Sequence, residues 1–393
     1  MDINKCQQQN RVAPHLKINC VMKKTILHVS KYYYPYLGGI ETLAKSLAES
    51  MVNYHNVVVC FATDGKDQVD EINGVTVYRV KVQFSLLSQD VAFGYYEKLK
   101  HLMAEFEPEY VHVHCPNPFV YPLVAKIMRA ETKLVLHWHS DILSKGIFYQ
   151  LVKPFERHIL RKATRIIATS PNYIHPSSPI FAYKEKISVV QNGMVPSDFD
   201  LKEGEEQKIA NIKAKYDNKP LVLFVGRHIH YKGIDWLIDI AQMVKGDCKF
   251  IIAGQGPLTE KLKSKNISSK VEFTGKLPAD ELRCYAHAAD IFAFTSNTKA
   301  EAFGIALAEA MYCGCVPVVF HLEGSGVNWV SIKDETGLEV PLGNLQAYAE
   351  AIDRLLSEGE LRAKLSVAAR QRASSLFTEA KAVELMESVY QEL

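Results

Sequence analysis

Apolar and polar positions along this chain follow two alternating rhythms. Short runs rich in β-branched and aromatic residues, KTILHVS (24–30), NVVVCFAT (56–63), YVHVHC (110–115), KLVLHWHS (133–140) and RIIATS (165–170), predict buried strands. Between them lie stretches such as ETLAKSLAESMV (41–52), whose apolar residues recur at helical spacing. The pattern restarts after Asn192-Gly193 with LVLFVG (221–226), WLIDIAQMV (236–244), KFIIAG (249–254), VEFTG (271–275), DIFAFTS (290–296) and VPVVF (316–320). Strands alternating with helices predict parallel sheets built from β-α-β units, here an α/β chain of two Rossmann-like domains in series. The turn formers in QNGMVPSDFD (191–200) mark the join. The predicted units are 22–191, 192–374 and a C-terminal helix, 375–393, that returns to the first domain. Residues 1–21 read as a disordered extension before a second candidate start at Met22.

Composition narrows the setting. At 393 residues with 48% hydrophobic content, the chain exceeds one ordinary core. No uncharged apolar run reaches the ~18 residues of a membrane span, and MDINKCQQQNRVAPHLKINC lacks the apolar stretch of a secretory signal. Eight cysteines scattered through the sequence, several in apolar runs, suit buried thiols in a reducing compartment, so the expected location is cytoplasmic. Charge is uneven. Up to Gln191 there are 23 Lys and Arg against 16 Asp and Glu, about +7, and beyond it 23 against 28, about −5. The first half is therefore expected to meet an anionic partner, a membrane surface or an acidic substrate, unless the charges are simply solvated. GIFYQLVKPFERHILRKATRII (146–167) fits either a helix resting on a membrane or one packed with its basic side chains outward, and Pro154 interrupts it.

Candidate chemistry lies after the strands, where ligands of open parallel sheets bind. In EAFGIALAEAM (301–311), Glu301 precedes a predicted helix whose free N–H groups, at Gly304 and Ile305, favour an anion or a sugar hydroxyl. Gly304 allows close backbone approach, and Glu309 follows about one and a half turns later. Carboxylates accept paired hydrogen bonds from vicinal hydroxyls, so one sugar-bearing molecule could engage both. A capping acid plus a solvated helix acid is the alternative on spacing alone. FVGRHIHYKG (224–233) sets Arg227 and Lys232 after a strand, an arrangement suited to a diphosphate or, equally, to surface charge. Gly38-Gly39 and Gly254 in GQGPL are further strand-end glycines. Neither completes G-x-G-x-x-G, and no phosphate-loop motif occurs, which counts against dinucleotide oxidoreductases and P-loop enzymes. Three H-x-H pairs, His112/His114, His137/His139 and His228/His230, have zinc-compatible spacing on a strand. With only Asp141 as a carboxylate companion, the reading prefers His139 and Asp141 as cleft-lining hydrogen-bonding groups. DFD (198–200) reads as a solvated turn.

In this order the motifs resemble retaining nucleotide-sugar glycosyltransferases of family 4 and the GT-B fold, in which two Rossmann-like domains face each other across a cleft. They also resemble bacterial mannosyltransferases of surface polysaccharide synthesis. The resemblance spans about residues 23 to 390. It rests on GGIE, HSD, QNG, VGRHIHYKG, GQGP, EAFG with EAM, Gly314 and PVV, and TGLEVPLGN. It implies that Arg227 and Lys232 hold the donor diphosphate and Glu309 the ribose. Glu301 and the backbone of Phe303, Gly304 and Ile305 would hold the transferred sugar, and Gly254 belongs to the same donor site. His139 would touch the donor sugar near the reaction centre, and Gly38 and Gly39 would cover the phosphates from the other domain. The implied reaction is metal-independent, needs no cofactor, and proceeds by front-face attack assisted by the leaving diphosphate. Implied partners are a nucleotide-sugar donor and a glycan or lipid-linked glycan acceptor, with attachment to an anionic membrane surface and no nucleic acid. NGMVP replaces the usual NGVD, so Asp198 does not inherit that aspartate's role. EGSGVNWVS (323–331) is similar to transferases using GDP-sugars, which favours GDP-mannose over a UDP-sugar. A metal-dependent hydrolase using the H-x-H pairs is the rival from another class.

Overall fold

The computed structural model describes residues 23–36, 38–86, 89–142 and 146–393, and the expectation for 1–21 lies outside them. The strands of the first half are β1 (Thr25–Val29), β2 (His55–Phe61), β3 (Gln68–Ile72), β4 (Val75–Val80), β5 (Phe84–Leu86), β6 (Gln89–Val91), β7 (Tyr110–Cys115), β8 (Lys133–Trp138), β9 (Arg165–Ala168) and β10 (Ile187–Val189). Eight of them form one sheet in the order β10-β9-β8-β7-β1-β2-β4-β3, and β5 and β6 form a separate two-stranded ribbon. Every neighbour in the large sheet is parallel except β3 and β4. That edge hairpin turns on Asn73-Gly74, both with positive φ (49° and 81°), the geometry that Asn-Gly favours. The sequence reading did not resolve the β3–β4 pair, although the Asn-Gly signal is there.

The second half holds β11 (Leu221–Val225), β12 (Lys249–Ala253), β13 (Val271–Gly275), β14 (Ile291–Phe294), β15 (Val316–Phe320) and β16 (Leu338–Val340). They form a six-stranded parallel sheet in the order β13-β12-β11-β14-β15-β16. Central strands are apolar at every position because helices cover both faces: all of β14 and β15 is buried. One hydrophobic cluster runs from these strands into the helix Gly359–Leu376 through Leu365, Ala369 and Ala373.

The chain crosses between the halves twice, and the crossings lie side by side. Met194 N–H donates to Phe377 O at 2.8 Å and Glu379 N–H donates to Met194 O at 2.7 Å. A Cβ at Gly193 would lie 2.5 Å from Thr378 O, so only glycine admits this approach. Beyond the second crossing, Thr378 Oγ1 caps the helix Glu379–Gln391. That helix buries Met386, Val389 and Tyr390 against Ile26, Tyr110, Val135 and Ile167 of the first sheet. The Tyr110 hydroxyl donates to Tyr390 O at 2.9 Å, and the Tyr390 hydroxyl meets His112 Nδ1 at 2.5 Å.

Removing the Tyr390 ring leaves a cavity between helix and sheet. Tyr390→Ala is expected to cost about 3–5 kcal/mol, and Tyr390→Phe, which deletes only the hydroxyl, about 1 kcal/mol. Urea unfolding followed by far-UV circular dichroism measures both. A cost below about 1 kcal/mol for the alanine variant would mean that the helix docks without this ring.

Candidate active site

The strand β14 delivers its chain directly into the glutamate loop. Gly304 follows the loop with φ +89°, a conformation that disfavours any side chain, and opens the helix Ile305–Tyr312. A Cβ there would also come within 3.1 Å of the Phe294 ring. The Glu301 carboxylate, 9% exposed, accepts from Lys232 Nζ and from Ser296 Oγ at 2.8 Å. Lys232 reaches it because Gly233 (φ +63°) packs against the Thr295 carbonyl, where a Cβ would collide, while Thr295 Oγ1 donates to Lys232 O at 2.9 Å. Burial alone would lower the Lys232 pKa, but the Glu301 carboxylate outweighs it and raises it. The sequence resemblance assigned Lys232 to the donor diphosphate and Glu301 to the transferred sugar; the structure pairs the two side chains with each other. Two buried opposite charges this close stabilise one another more than either is stable alone.

Around that pair the other expected residues divide. Arg227, after β11, is exposed, and its side chain has no hydrogen bond or ion pair with another described residue. Glu309 is half-buried on the helix, and burial, with a smaller contribution from Asp198, pushes its carboxyl up to about 7. The Phe303 side chain is buried against Trp329 and Phe377, with ring centroids 6.3 and 5.5 Å away, so it builds the core and only its backbone faces the loop. Ile305 is half-buried at the helix start. Gly254 (φ +127°) is required by the Gly226 carbonyl, with which a Cβ would collide, so its first role is to let two strand-end loops touch. His228 is buried and bonded to Thr259 Oγ1 at 2.9 Å while His230 is exposed, so this H-x-H pair does not act together.

In the first half, Gly38 caps and Gly39 begins the helix Gly39–Ser50. A Cβ on Gly39 meets nothing within 4 Å, and one on Gly38 meets only the Glu41 carboxylate. Glu41 itself, half-buried with its pKa raised by burial, was not singled out from the sequence.

The remaining histidines pair up. His114 Nδ1 lies 3.0 Å from His139 Nε2 with rings 4° from coplanar, and His112 Nε2 lies 3.2 Å from His137 Nδ1. The two pairs stack, His137 on His139 at 4.2 Å and His112 on His114 at 4.6 Å between centroids. Ring nitrogens of His112, His114 and His137 all lie within 4.8 Å of one another, close enough in distance for a metal. However, imidazole lone pairs lie in the ring plane, and stacked rings do not aim them at one point. Burial lowers the pKa of all four rings well below the usual value, leaving them neutral. His139 keeps Nδ1 without a partner at the end of β8.

Asp141 departs from expectation. Its Oδ1 accepts from Trp138 Nε1 at 2.9 Å and Ser178 Oγ at 2.8 Å, and its Oδ2 from Lys299 Nζ at 2.6 Å, so it is a structural pin with its capacity largely spent. Lys299 sits on the glutamate loop of the second half and also donates to Ser177 O at 3.0 Å. Beside it, Gly326 N–H donates to Ala302 O at 2.9 Å, and the Ser325 hydroxyl donates to Glu301 O. The EGSG segment thus braces the glutamate loop. Neither Lys299 nor Ser325 was singled out from the sequence, because their partners are remote along the chain.

The loops at the carboxyl edges of the two sheets therefore meet, bringing a lysine–glutamate pair, a free arginine, a carboxyl with elevated pKa and a helix N-terminus onto one edge. Such a set can bind a phosphate-bearing, hydroxyl-rich molecule. Comparisons with known proteins agree. Residues 37–198 match the family model described as Glycosyltransferase Family 4, and residues 205–372 the model described as Glycosyl transferases group 1. The chain is 28% identical to D-rhamnosyltransferase WbpZ of Pseudomonas aeruginosa over 359 residues, covering 90% of this chain and 92% of that one. It is 26% identical to O-antigen chain mannosyltransferase C of Escherichia coli, covering 90% and 94%. The solved structure of Anabaena Alr3699/HepE in complex with UDP superposes with a TM-score of 0.76 at 21% identity, covering 94% of this chain and all of the other. This chain belongs to the GT-B glycosyltransferases, with a Family 4 domain followed by a group 1 domain.

Proposed function

We propose that this enzyme transfers a hexosyl residue, with retention, from a nucleotide sugar to a hydroxyl of a glycan or lipid-linked glycan in polysaccharide synthesis, with GDP-mannose as the favoured donor. The observation that carries the reading is the Lys232–Glu301 pair beside the helix start at Gly304, with Glu309 further along that helix and Arg227 exposed on the loop that carries Lys232. The names of the relatives, a rhamnosyltransferase and an O-antigen mannosyltransferase, favour a sugar of the mannose series in surface polysaccharide. A UDP-sugar donor is the second reading, favoured by the UDP-bound neighbour.

In this mechanism the diphosphate lies against Arg227 and Lys232, and the Glu309 carboxylate accepts from the ribose hydroxyls. The bond from the anomeric carbon to the diphosphate oxygen breaks, and the charge left on phosphate is held by the two cations and the helix N-terminus. The acceptor oxygen attacks from the same face, and its proton passes to the departing phosphate oxygen. Glu301 keeps Lys232 charged and oriented, and the His139 ring borders the donor sugar. The scheme uses no metal. The working location is cytoplasmic, at the inner face of the membrane.

Thermal shift with GDP, GDP-mannose, UDP and UDP-glucose, each with chelator present, tests the donor class. A ligand at a hundredfold its Kd adds about 2.7 kcal/mol to stability, several degrees of melting temperature. We expect GDP-mannose and GDP to shift the wild type, and Arg227→Ala and Glu309→Ala to abolish the shift. If only UDP ligands act, the donor assignment changes. Silence from all four nucleotides together with a response to zinc would remove the transferase reading and favour the hydrolase.

The elevated Glu309 carboxyl gives a pH signature. Below about 7 it is protonated and loses acceptor capacity; above about 7 it accepts both ribose hydroxyls. A nucleotide sugar carries a diphosphate diester that does not titrate in this range, so its affinity should rise roughly tenfold from pH 6 to pH 8. In Glu309→Gln the profile should be flat. Isothermal titration at both pH values decides, and an unchanged slope in the variant would exonerate Glu309.

A further inference from the structure

We infer that the pocket walled by the helix Ile147–Lys162 and the loop 176–183 binds a diphosphate or phosphate group carried by the acceptor. This rests on the transferase reading and assigns its second substrate a chemical class. Lys153, Arg157 and Arg161 recur every fourth residue, so they share one helix face, and all three line a single pocket of about 680 Å³. None of their side chains has a hydrogen bond or ion pair with another described residue. Like charges at this spacing repel, by about 0.2–0.5 kcal/mol per neighbouring pair. A helix that keeps three of them unpaired around a concavity retains a standing demand for an anion.

The acidic groups in the wall do not meet that demand. Asp141 is neutralised by Lys299 at 2.6 Å. Glu156 is buried, with Oε1 accepting from the Tyr149 hydroxyl at 2.8 Å and Oε2 unpartnered. Burial raises its pKa, the Tyr149 hydrogen bond and the nearby Lys153 and Arg157 work against that, and one carboxyl cannot match three cations. The Tyr183 and Ser177 side chains complete the wall, the Ser177 hydroxyl already accepting from Lys299 Nζ at 2.9 Å.

Position links the pocket to the reaction. Asp141 lines it, stands two residues beyond His139, and anchors Lys299 of the glutamate loop. An anion held on Lys153, Arg157 and Arg161 therefore lies beside the cleft. The first half's excess of basic residues steers an anionic acceptor towards the same side.

The test uses the full chain with a saturating nucleotide, so that the donor site is occupied. Isothermal titration compares inorganic pyrophosphate, a short-chain alkyl diphosphate and vesicles of phosphatidylglycerol, for the wild type and for R157Q/R161Q. Both arginines are exposed, so the variant should fold, and its nucleotide thermal shift should match the wild type. We expect both soluble diphosphates to lose about tenfold or more in affinity. Tighter binding of the alkyl form than of pyrophosphate would mark a lipid-linked source, and equal binding a phosphorylated glycan; either supports the pocket. Unchanged diphosphate binding in the variant overturns the inference, as does loss of vesicle binding alone, which would make the arginines a membrane-surface patch. Should the wild type show no nucleotide shift while diphosphate binding still depends on the arginines, the pocket stands and the transferase reading falls.

Discussion

The missing side chain at Gly233 holds the second domain's part of the site together. Its backbone lies so near the Thr295 carbonyl that any Cβ would collide, and this contact welds the loop after β11 to the loop after β14. These strands are neighbours and parallel, so both loops leave the same edge of the sheet. Lys232 precedes the glycine and Ser296 follows the threonine, and the Glu301 carboxylate accepts from both. Charge pairing, loop spacing and the helix start at Gly304 thus depend on one close backbone approach. A similar approach, Gly254 on the Gly226 carbonyl, ties the β12 loop to the same edge.

The two halves are joined by contacts of different character. At the crossing, Gly193, Met194, Phe377 and Glu379 exchange backbone hydrogen bonds, so both chain segments must bend together in any rotation of one domain against the other. At the opposite contact, the Lys299 side chain reaches the Asp141 carboxylate and the Ser177 carbonyl, and His175 meets Glu323 at 3.3 Å. Side-chain ion pairs of this kind are weaker than a backbone ladder and easier to break. Domain opening would therefore proceed at the Lys299 contact and pivot at the crossing. Because Lys299 lies on the loop that carries Glu301, such opening would also release that loop, coupling donor-site geometry to closure.

Much of the architecture was legible because periodicity is local. Apolar runs such as VPVVF and IFAF are buried along their full length, as strands covered on both faces must be, and Gly304 stands at the helix start that its neighbours predicted. The hairpin at Asn73-Gly74 was equally local and was overlooked. What sequence could not supply was pairing across distance. Lys232 and Glu301 are 69 residues apart and Asp141 and Lys299 are 158 apart, and no local rule brings either pair into contact. Asp141 illustrates the consequence. Its place after a strand suggested a ligand contact, while Trp138, Ser178 and Lys299 consume its oxygens. The spacing of the histidines was visible, but whether their nitrogens faced a common point or each other depended on ring orientation.

Charge compensation separates the two sides of the cleft. On the side of the second domain, Lys232 is matched by Glu301 before any ligand is considered, so a diphosphate bound there as proposed would join an existing ion pair and draw on Arg227 for unspent charge. On the other side, Lys299 cancels Asp141, and the row of Lys153, Arg157 and Arg161 remains unmatched. Preorganised neutral clusters favour orientation over attraction, because a ligand gains only what it adds to the pair already present. Unmatched exposed cations favour capture, with a strength that falls as salt rises. On the proposed reading, the edge carrying Lys232 and Glu301 serves geometry and the edge carrying Lys153, Arg157 and Arg161 serves recruitment, which would suit an enzyme that must place one atom accurately against a substrate arriving from elsewhere.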